Sequence, residues 1–109
     1  MTPFTEKVIH IIRNIPEGKV MTYGQIAGLA GSSRAARQVV RILHSMSKKH
    51  QLPWHRVVNA KGQIALQNDE AYNEQIMNLE IEGIEVDLNG KIDLGKYQWQ
   101  PSQNETFYL

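Results

Sequence analysis

Apolar residues recur at helical spacing in the first segment of this chain and predict an amphipathic helix. Thr2 is suited to cap that helix, and Pro3 stands in its first turn. The stretch Pro16-Glu17-Gly18 ends it. The apolar face defined by the spacing consists of Phe4, Val8, Ile11, Ile12 and Ile15.

A short second helix is predicted from its start and stop signals. Thr22, followed three residues later by Gln25, forms the pattern of a capping box. Gly31 is a natural terminator because glycine readily adopts the left-handed conformation that ends many helices. The apolar residues in between are Ile26, Leu29 and Ala30.

A third helix is predicted to begin after a capping Ser32 or Ser33 and to extend to about Met46. At roughly 100° per residue, its three arginines fall within about 60° of one another and form a cationic stripe. A helix, a short turn and a basic second helix make up the helix-turn-helix pattern. The stripe consists of Arg34, Arg37 and Arg41, extended by His44 and Lys48. The opposite, packing side consists of Ala36, Val39, Val40, Leu43 and Met46.

The second half of the chain predicts two hairpins and one helix. Gly62 is suited to a positive φ in the first turn, and Asn89-Gly90 is a strong signal for the second. Residues 70–81 predict a fourth helix, which Gly83 ends. The apolar contacts of this helix are Ile76, Met77 and Leu79. The predicted strand pairs are Arg56-Val57-Val58 with Gln63-Ile64-Ala65, and Val86-Asp87-Leu88 with Lys91-Ile92-Asp93-Leu94.

The charges are divided unevenly along the chain, although the formal net charge is only +1. Residues 1–65 hold ten Lys and Arg against two Glu, a net charge of +8, whereas residues 66–109 carry −7. No acidic residue lies between Lys19 and Lys61. Solvated helix faces usually mix both signs in i,i+4 pairs, so we expect the third helix to bind a polyanion and the acidic flank to be a candidate partner surface. The alternative, which stays open, is that acidic and basic residues intermingle in space once the chain is folded.

The composition narrows the chemistry and the cellular context. The chain of 109 residues has no cysteine, which excludes disulfides, thiolate metal sites and a cysteine nucleophile. The histidines share no ligand spacing and no glycine-rich phosphate loop is present, so we expect no metal and no cofactor. Neither a long apolar run nor a signal peptide is found, which predicts a cytoplasmic protein without a membrane span. We expect one domain over residues 1–101 and a mobile tail over residues 102–109.

A short motif connects these patterns to a family. Pro53-Trp54-His55-Arg56-Val57 resembles the Pro-Cys-His-Arg-Val signature of O6-alkylguanine-DNA alkyltransferases, with tryptophan where the reactive cysteine stands. Residues 15–27 are similar to that family's entry into its helix-turn-helix, and residues 35–39 to its recognition helix. The tryptophan makes the chain similar to the alkyltransferase-like proteins. Further matches are Glu82-Gly83, Tyr97, Trp99 and Pro101.

The resemblance implies a mainly helical domain with short β hairpins, built on a winged-helix-like helix-turn-helix, as in the C-terminal domain of these alkyltransferases. It implies that the recognition helix enters the minor groove and that the target nucleotide rotates out of the duplex. Tyr23 would press on the phosphate beside the target, and Arg37 would fill the vacated stack. The implied DNA contacts are Tyr23, Arg34, Ala36, Arg37 and Arg41. The implied lesion pocket consists of Tyr23, Pro53, Trp54, His55 and Val57.

Each of these residues also has a structural interpretation. A tyrosine at a helix start is commonly half-buried, a surface arginine is commonly solvated, and tryptophan commonly belongs to a core. His55 and Glu82 match the pair that activates the family's cysteine; without a thiol, we expect them to persist as a buried polar network. Arg56 is expected to bond backbone groups. Ser47-Lys48-Lys49-His50-Gln51 departs from the family's approach to the signature, so its conformation is not predicted.

An indole has a single donor N–H, whereas the nucleophile of cysteine chemistry is the thiolate. The sequence therefore predicts a monomeric, non-enzymatic protein that binds O6-alkylguanine in double-stranded DNA, shields it and hands it to nucleotide excision repair. Two rivals stay open at this point. One is a sequence-specific regulator that uses the same helix-turn-helix on paired half-sites. The other is an enzyme in which His55 and Glu82 form a base and its orienting partner.

Overall fold

The first helix forms as predicted. A computed structural model describes residues 1–66 and 68–101, so the predicted tail lies outside the described residues. Helix α1 spans Pro3–Arg13, and the Thr5 amide donates to the Thr2 hydroxyl at 3.1 Å. Its apolar face is buried at Val8, Ile9, Ile11 and Ile12.

Helices α2 (Tyr23–Leu29) and α3 (Ala36–His50) form the predicted helix-turn-helix. The capping box is present: the Gln25 amide donates to the Thr22 hydroxyl at 3.1 Å, and the Thr22 amide donates to the Gln25 side chain at 3.3 Å. Gly31 has a φ of 108°, which ends α2 as expected. Packing of α1, α2 and α3 against one another forms the larger part of the core.

The predicted start of α3 is wrong. Among the described residues no side chain caps this helix, and Ala35 rather than a serine precedes it. Ser32 belongs to the connecting turn, where its amide donates to the Ala27 carbonyl at 2.9 Å and its own carbonyl accepts the Ala35 amide at 3.0 Å. These backbone bonds continue the turn for several residues before helical geometry resumes.

The predicted end of α3 and one of its packing residues are also wrong. The helix continues past Met46 to His50, and Gln51 ends it in a left-handed conformation with a φ of 51°. The Leu52 amide then donates to the Ser47 carbonyl at 2.8 Å, which closes the helix end. Val40, predicted to pack, is 43% exposed. The buried residues of α3 are Val39, Ile42 and Leu43.

The first predicted hairpin is wrong in its pairing, although its turn forms. Strand β2 (Val57–Val58) pairs in parallel with β1 (Met21–Thr22), and Gln63 forms a bridge with Lys91 instead. The Asn59 side-chain oxygen accepts the amide of Gln63 at 2.9 Å, so the chain turns away directly after β2. Both valines of β2 are buried, which fits a strand that pairs with β1 between two hydrophobic clusters.

The second predicted hairpin is replaced by a tight turn and a short helix. The turn spans residues 87–90, one residue earlier than predicted, and the Gly90 amide donates to the Asp87 carbonyl at 3.0 Å. The predicted return strand instead leads into helix α5 (Leu94–Tyr97). The Ile64 amide donates to the Gly90 carbonyl at 2.9 Å, which joins the two turns.

Helix α4 (Asp69–Ile81) confirms the fourth predicted helix, capped by the Asn68 side chain. Met77 does not pack as predicted, because its side chain is 55% exposed.

The small sheet separates two hydrophobic clusters. Val57 belongs to the cluster formed with α1, α2 and α3, and Val58 belongs to the cluster that contains Leu79 of α4. In the described ranges, no helix is both long and apolar enough to cross a membrane.

Candidate nucleic-acid interface

The cationic stripe lies on the solvent side of the helix-turn-helix. Arg37 and Arg41 are exposed on α3, and Arg34 is exposed in the turn that precedes it. His44 and Lys48 continue the exposed side toward the end of the helix. Among the ion pairs of the described residues, none involves these three arginines, so their charges are available to an external anion.

Small residues flank the stripe where α3 begins. Ala36 is the first residue of the helix and is half-buried. Val40 lies one turn further along and is exposed at the edge of the stripe.

Tyr23 is placed at the start of α2 by the capping box that surrounds it. The ring is half-buried against the first cluster, and burial raises the pKa of the Tyr23 hydroxyl, which therefore stays a neutral donor at physiological pH. The neighbouring Gln25 side chain donates to the Trp99 carbonyl at 2.6 Å and accepts from the Gln98 side chain at 2.9 Å. These bonds fix the start of α2 against the C-terminal part of the described chain.

Trp54 occupies a single 3-10 turn, Trp54–Arg56, that leads from the end of α3 into β2. Its indole is partly buried and packs against the first cluster. The His55 ring lies perpendicular to the indole, with 6.3 Å between the ring centroids. Pro53 precedes the turn, partly buried, and Val57 follows it, fully buried in the sheet.

Glu82 is the centre of the polar network that holds this turn. Its carboxylate accepts from Arg56 Nη2 at 2.8 Å, from His55 Nε2 at 2.6 Å and from the Gly18 amide at 3.0 Å. The remaining Arg56 Nη1 donates to the Ile15 carbonyl at 2.8 Å, as expected for a residue that bonds backbone groups. The predicted network of His55 and Glu82 is therefore confirmed, with Arg56 as a third member.

The charge of Glu82 is stable at physiological pH. Burial raises the pKa of this carboxyl, but the hydrogen bonds from Arg56, the Gly18 amide and His55 outweigh burial and lower the pKa from 4.5 to about 2. Its side chain is only 9% exposed. A carboxylate that is ionised and already accepts from three groups is a structural anchor and a poor acid or base.

Gln75 is a site residue that the sequence analysis missed. It is buried to 3% exposure in the middle of α4, and its Nε2 donates to the carbonyls of His55 at 3.0 Å and Val57 at 3.1 Å. The available signal is its position four residues before the buried Leu79, on the same helix face. A polar residue on a packing face indicates a buried hydrogen-bond partner.

The turn around Trp54 is thus held by two residues of α4 and its C-cap: Glu82 bonds to its side chains, and Gln75 bonds to its backbone. No group of three His, Asp or Glu side chains within the described ranges is arranged to hold a metal ion. The site consists of an exposed basic helix, a half-buried tyrosine and a rigid tryptophan turn, which suits binding of a polyanion beside an aromatic wall.

Three comparisons bear on this arrangement. A family model described as the DNA-binding domain of 6-O-methylguanine DNA methyltransferase matches residues 3–84. A DNA base-flipping protein of Vibrio parahaemolyticus is 45% identical over 101 residues, which cover 93% of this chain and 100% of that protein. Alkyltransferase-like protein 1 of Schizosaccharomyces pombe is 37% identical over 106 residues, covering 93% of this chain and 98% of that protein.

The fold has a counterpart among crystal structures. The S. pombe protein in complex with damaged DNA containing O6-carboxymethylguanine superposes with a TM-score of 0.83 at 36% sequence identity. The superposition covers 93% of this chain and 98% of that chain. Nearly the whole described chain therefore shares one architecture with a protein seen on damaged DNA.

Proposed function

This chain belongs to the alkyltransferase-like family, and from that premise we propose that it recognises O6-alkylguanine in duplex DNA by base flipping, without removing the alkyl group. The observation that carries the proposal is the absence of cysteine from a chain of this family. The resemblance of Pro53-Trp54-His55-Arg56-Val57 to the family's signature supports it, with tryptophan in place of the reactive cysteine. The relative named for base flipping and the structure bound to O6-carboxymethylguanine support it.

Docking begins with the cationic stripe. Arg34 and Arg41 contact phosphates on either side of the groove, which contributes sequence-independent affinity through counterion release. Ala36 faces the groove wall, where a small side chain permits close approach of α3. Exposure of these arginines and their lack of ion pairs within the described residues support this role.

Extrusion of the base costs a few kcal/mol of stacking and pairing, and less for a damaged base. Two residues of the helix-turn-helix offset that cost. Tyr23, held at the start of α2, presses on the phosphate beside the target and favours rotation. Arg37 enters the vacated stack, where its planar guanidinium both stacks and donates to the orphaned cytosine.

The rotated base is received at the tryptophan turn. Trp54 provides a flat apolar wall for the purine and its alkyl group, with Tyr23, Pro53 and His55 as neighbours in the pocket. Val57, expected from the resemblance as a further neighbour, is 1% exposed and supports the turn from the core. The Glu82 network and Gln75 bond to the side chains and the backbone of this turn, so the wall is formed before the base arrives. A preorganised wall lowers the entropic cost of binding.

Alkyl transfer is absent from the proposed activity for two reasons. The indole of Trp54 has a single N–H donor and no thiolate with which to attack an alkyl carbon. The chain also has no cysteine at any other position that could take over the attack.

Binding without repair requires a second step. We therefore extend the proposal to a monomeric, cytoplasmic protein in which residues 1–101 form the binding domain. In this proposal the bound protein shields the lesion and hands it to nucleotide excision repair.

One titration tests the core of the proposal. A duplex with either O6-methylguanine or guanine at one position is titrated at fixed salt, and the DNA is analysed for the methyl group afterwards. We expect a preference of about tenfold or more for the adduct, the scale of one strong added contact, with the methyl group retained. Equal binding to both duplexes would leave a general DNA-binding helix-turn-helix, and loss of the methyl group would identify an enzyme.

A further inference from the structure

Helix α4 presents a second face that the DNA-binding proposal does not use. Glu70, Glu74, Met77 and Ile81 follow one another at intervals of four, three and four residues. At roughly 100° per residue, these four positions fall within about 60° of one another, directly opposite the buried Leu79. We call these four residues the α4 outer face.

The apolar side chains of this face are unusually exposed. Met77 is 55% exposed and Ile81 is 76% exposed, although they lie one turn apart and contact the same solvent region. Single exposed apolar residues are common, but two adjacent ones on one helix form a patch that water solvates poorly. Burial of this patch against another surface would therefore be favourable.

The charges of the same face lack partners. Helix α4, which lies wholly within the described chain, contains no lysine or arginine. None of the ion pairs among the described residues involves Glu70, Glu74 or the neighbouring Glu80. Exposed helices commonly neutralise such carboxylates through i,i+4 pairs with basic residues. The face therefore combines an apolar centre with unneutralised negative charge at its edge.

We propose that the α4 outer face is the docking surface for a partner protein that offers an apolar groove rimmed by lysine and arginine. A convex helix with anchors one turn apart fits a groove, as in helix-in-groove recognition. A basic rim complements the two carboxylates, and complementary charge steers association and excludes unsuitable partners. The inference rests on the proposed function, because a protein that binds a lesion without repairing it needs a partner that acts on it.

The charge of the face excludes two other occupants. DNA and anionic membranes are repelled by the carboxylates of Glu70 and Glu74, so neither is favoured on the α4 outer face. The Glu82 carboxylate, by contrast, does not belong to the surface, since it is 9% exposed and bonded to Arg56 and His55. A test by charge reversal must therefore leave Glu82 intact.

Two independent variants probe the surface. Met77→Ser with Ile81→Ser removes the apolar centre, and Glu70→Lys with Glu74→Lys reverses the edge. All four side chains are exposed, so both variants are expected to fold. Circular dichroism and thermal melting of each variant verify this.

Matched controls come from other exposed positions. Leu88→Ser removes an apolar side chain that is fully exposed outside the face. Glu6→Lys with Glu17→Lys reverses two exposed carboxylates, and Glu6 occupies the first turn of α1 as Glu70 occupies the first turn of α4. The charge control shows how much DNA affinity rises from the added positive charge alone.

The experiment measures excision of O6-methylguanine from a defined duplex in an extract of the source cells depleted of this protein. Wild-type protein and both controls should restore excision. The apolar variant should bind the lesion duplex as the wild type does, and the charge variant should bind it as the charge control does. Both face variants should stimulate excision at least about fivefold less than the wild type, which is the scale of one lost interface anchor.

The outcomes separate the two proposals. Full stimulation by the face variants would overturn the docking surface while lesion recognition stands, and so would wild-type protein that binds the lesion but stimulates nothing. Wild-type protein without a preference for the lesion would end the proposed function and the inference together. Sedimentation velocity at high protein concentration tests the remaining occupant: a dimer abolished by the face variants would mean that a second copy covers α4.

Discussion

Glu82→Gln removes the charge at the centre of the network that holds the tryptophan turn. In the folded chain, the carboxylate accepts hydrogen bonds from Arg56, His55 and the Gly18 amide. Burial raises the pKa of the carboxyl, and the bonds from these three groups more than reverse the effect, lowering the pKa from 4.5 to about 2. The ionised carboxylate is therefore stabilised more in the folded chain than in the unfolded chain.

The sign and the magnitude follow from linkage between protonation and folding. Because the folded pKa lies below the unfolded value, the stabilisation is fully present above about pH 4.5 and is lost as the pH falls through about 2. At about 1.4 kcal/mol for each pKa unit, the charged form contributes about 3 kcal/mol to the free energy of unfolding at pH 7. Glu82→Gln should cost about 3–5 kcal/mol there, since it also leaves the Arg56 charge without its partner.

Urea unfolding of the wild type and the variant at pH 7, 5 and 3 measures this effect. The gap in unfolding free energy should be nearly equal at pH 7 and pH 5, and should shrink to about half or less at pH 3. At pH 3 the carboxyl is largely protonated in the unfolded wild type but still ionised in the folded chain, so unfolding takes up a proton. Glu80→Gln is the control, because Glu80 is exposed on the same helix and forms none of the ion pairs found in the described chain. A gap that stays constant from pH 7 to pH 3 would refute the assignment of the stabilisation to the Glu82 charge.

Other substitutions test the site and the fold. Arg37→Ala should weaken binding to an O6-methylguanine duplex by about 1–3 kcal/mol in a competition titration. Gln38→Ala, at the exposed neighbouring position, should change that affinity little. Equal effects of the two substitutions would remove the proposed role of Arg37. Trp54→Ala should reduce the preference for the adduct over guanine more than it reduces total affinity, and mass spectrometry of Trp54→Cys after incubation with the adduct should detect no methylated protein. Gly62→Ala should lower the melting temperature, because φ is +76° and the added Cβ would lie 2.5 Å from a backbone carbonyl oxygen. Gly28→Ala, in open space within α2, should leave it unchanged or raise it, and similar melting temperatures for the two variants would contradict this reasoning.

Local signals predicted the helices well where a single residue decides the local hydrogen bonds. Thr2 caps α1, and Thr22 with Gln25 forms the capping box of α2, because these bonds span only three residues. The same logic is wrong for the start of α3, where the amide and carbonyl of Ser32 are taken up by a turn against α2. The choice between a cap and a turn depended on packing of two helices, which short-range patterns do not contain.

Pairing of the strands depended on contacts distant in sequence. Val57–Val58 reads as half of a hairpin, yet it lies beside Met21–Thr22, 36 residues earlier, because both strands are buried between two clusters. Two apolar residues do not specify which strand they pair with. The partner of Val57–Val58 is decided by how the helices pack around the sheet. The predicted hairpin and the observed parallel pair share only Val57–Val58 and differ in the partner strand.

The sequence by itself determined the kind of chemistry available to this protein. A chain with no cysteine has no thiolate nucleophile, and the spacing of Arg37 and Arg41 places both on one face of α3. Arg34 was predicted on the same helix face, but it lies in the turn before α3. Only the tertiary structure decided how the tryptophan turn is held. Glu82 and Gln75 lie 28 and 21 residues beyond Trp54, and it is their burial against the turn that converts an ordinary carboxylate and amide into its anchors. Composition and period are properties of the chain, whereas burial and hydrogen-bond partners exist only after distant segments meet.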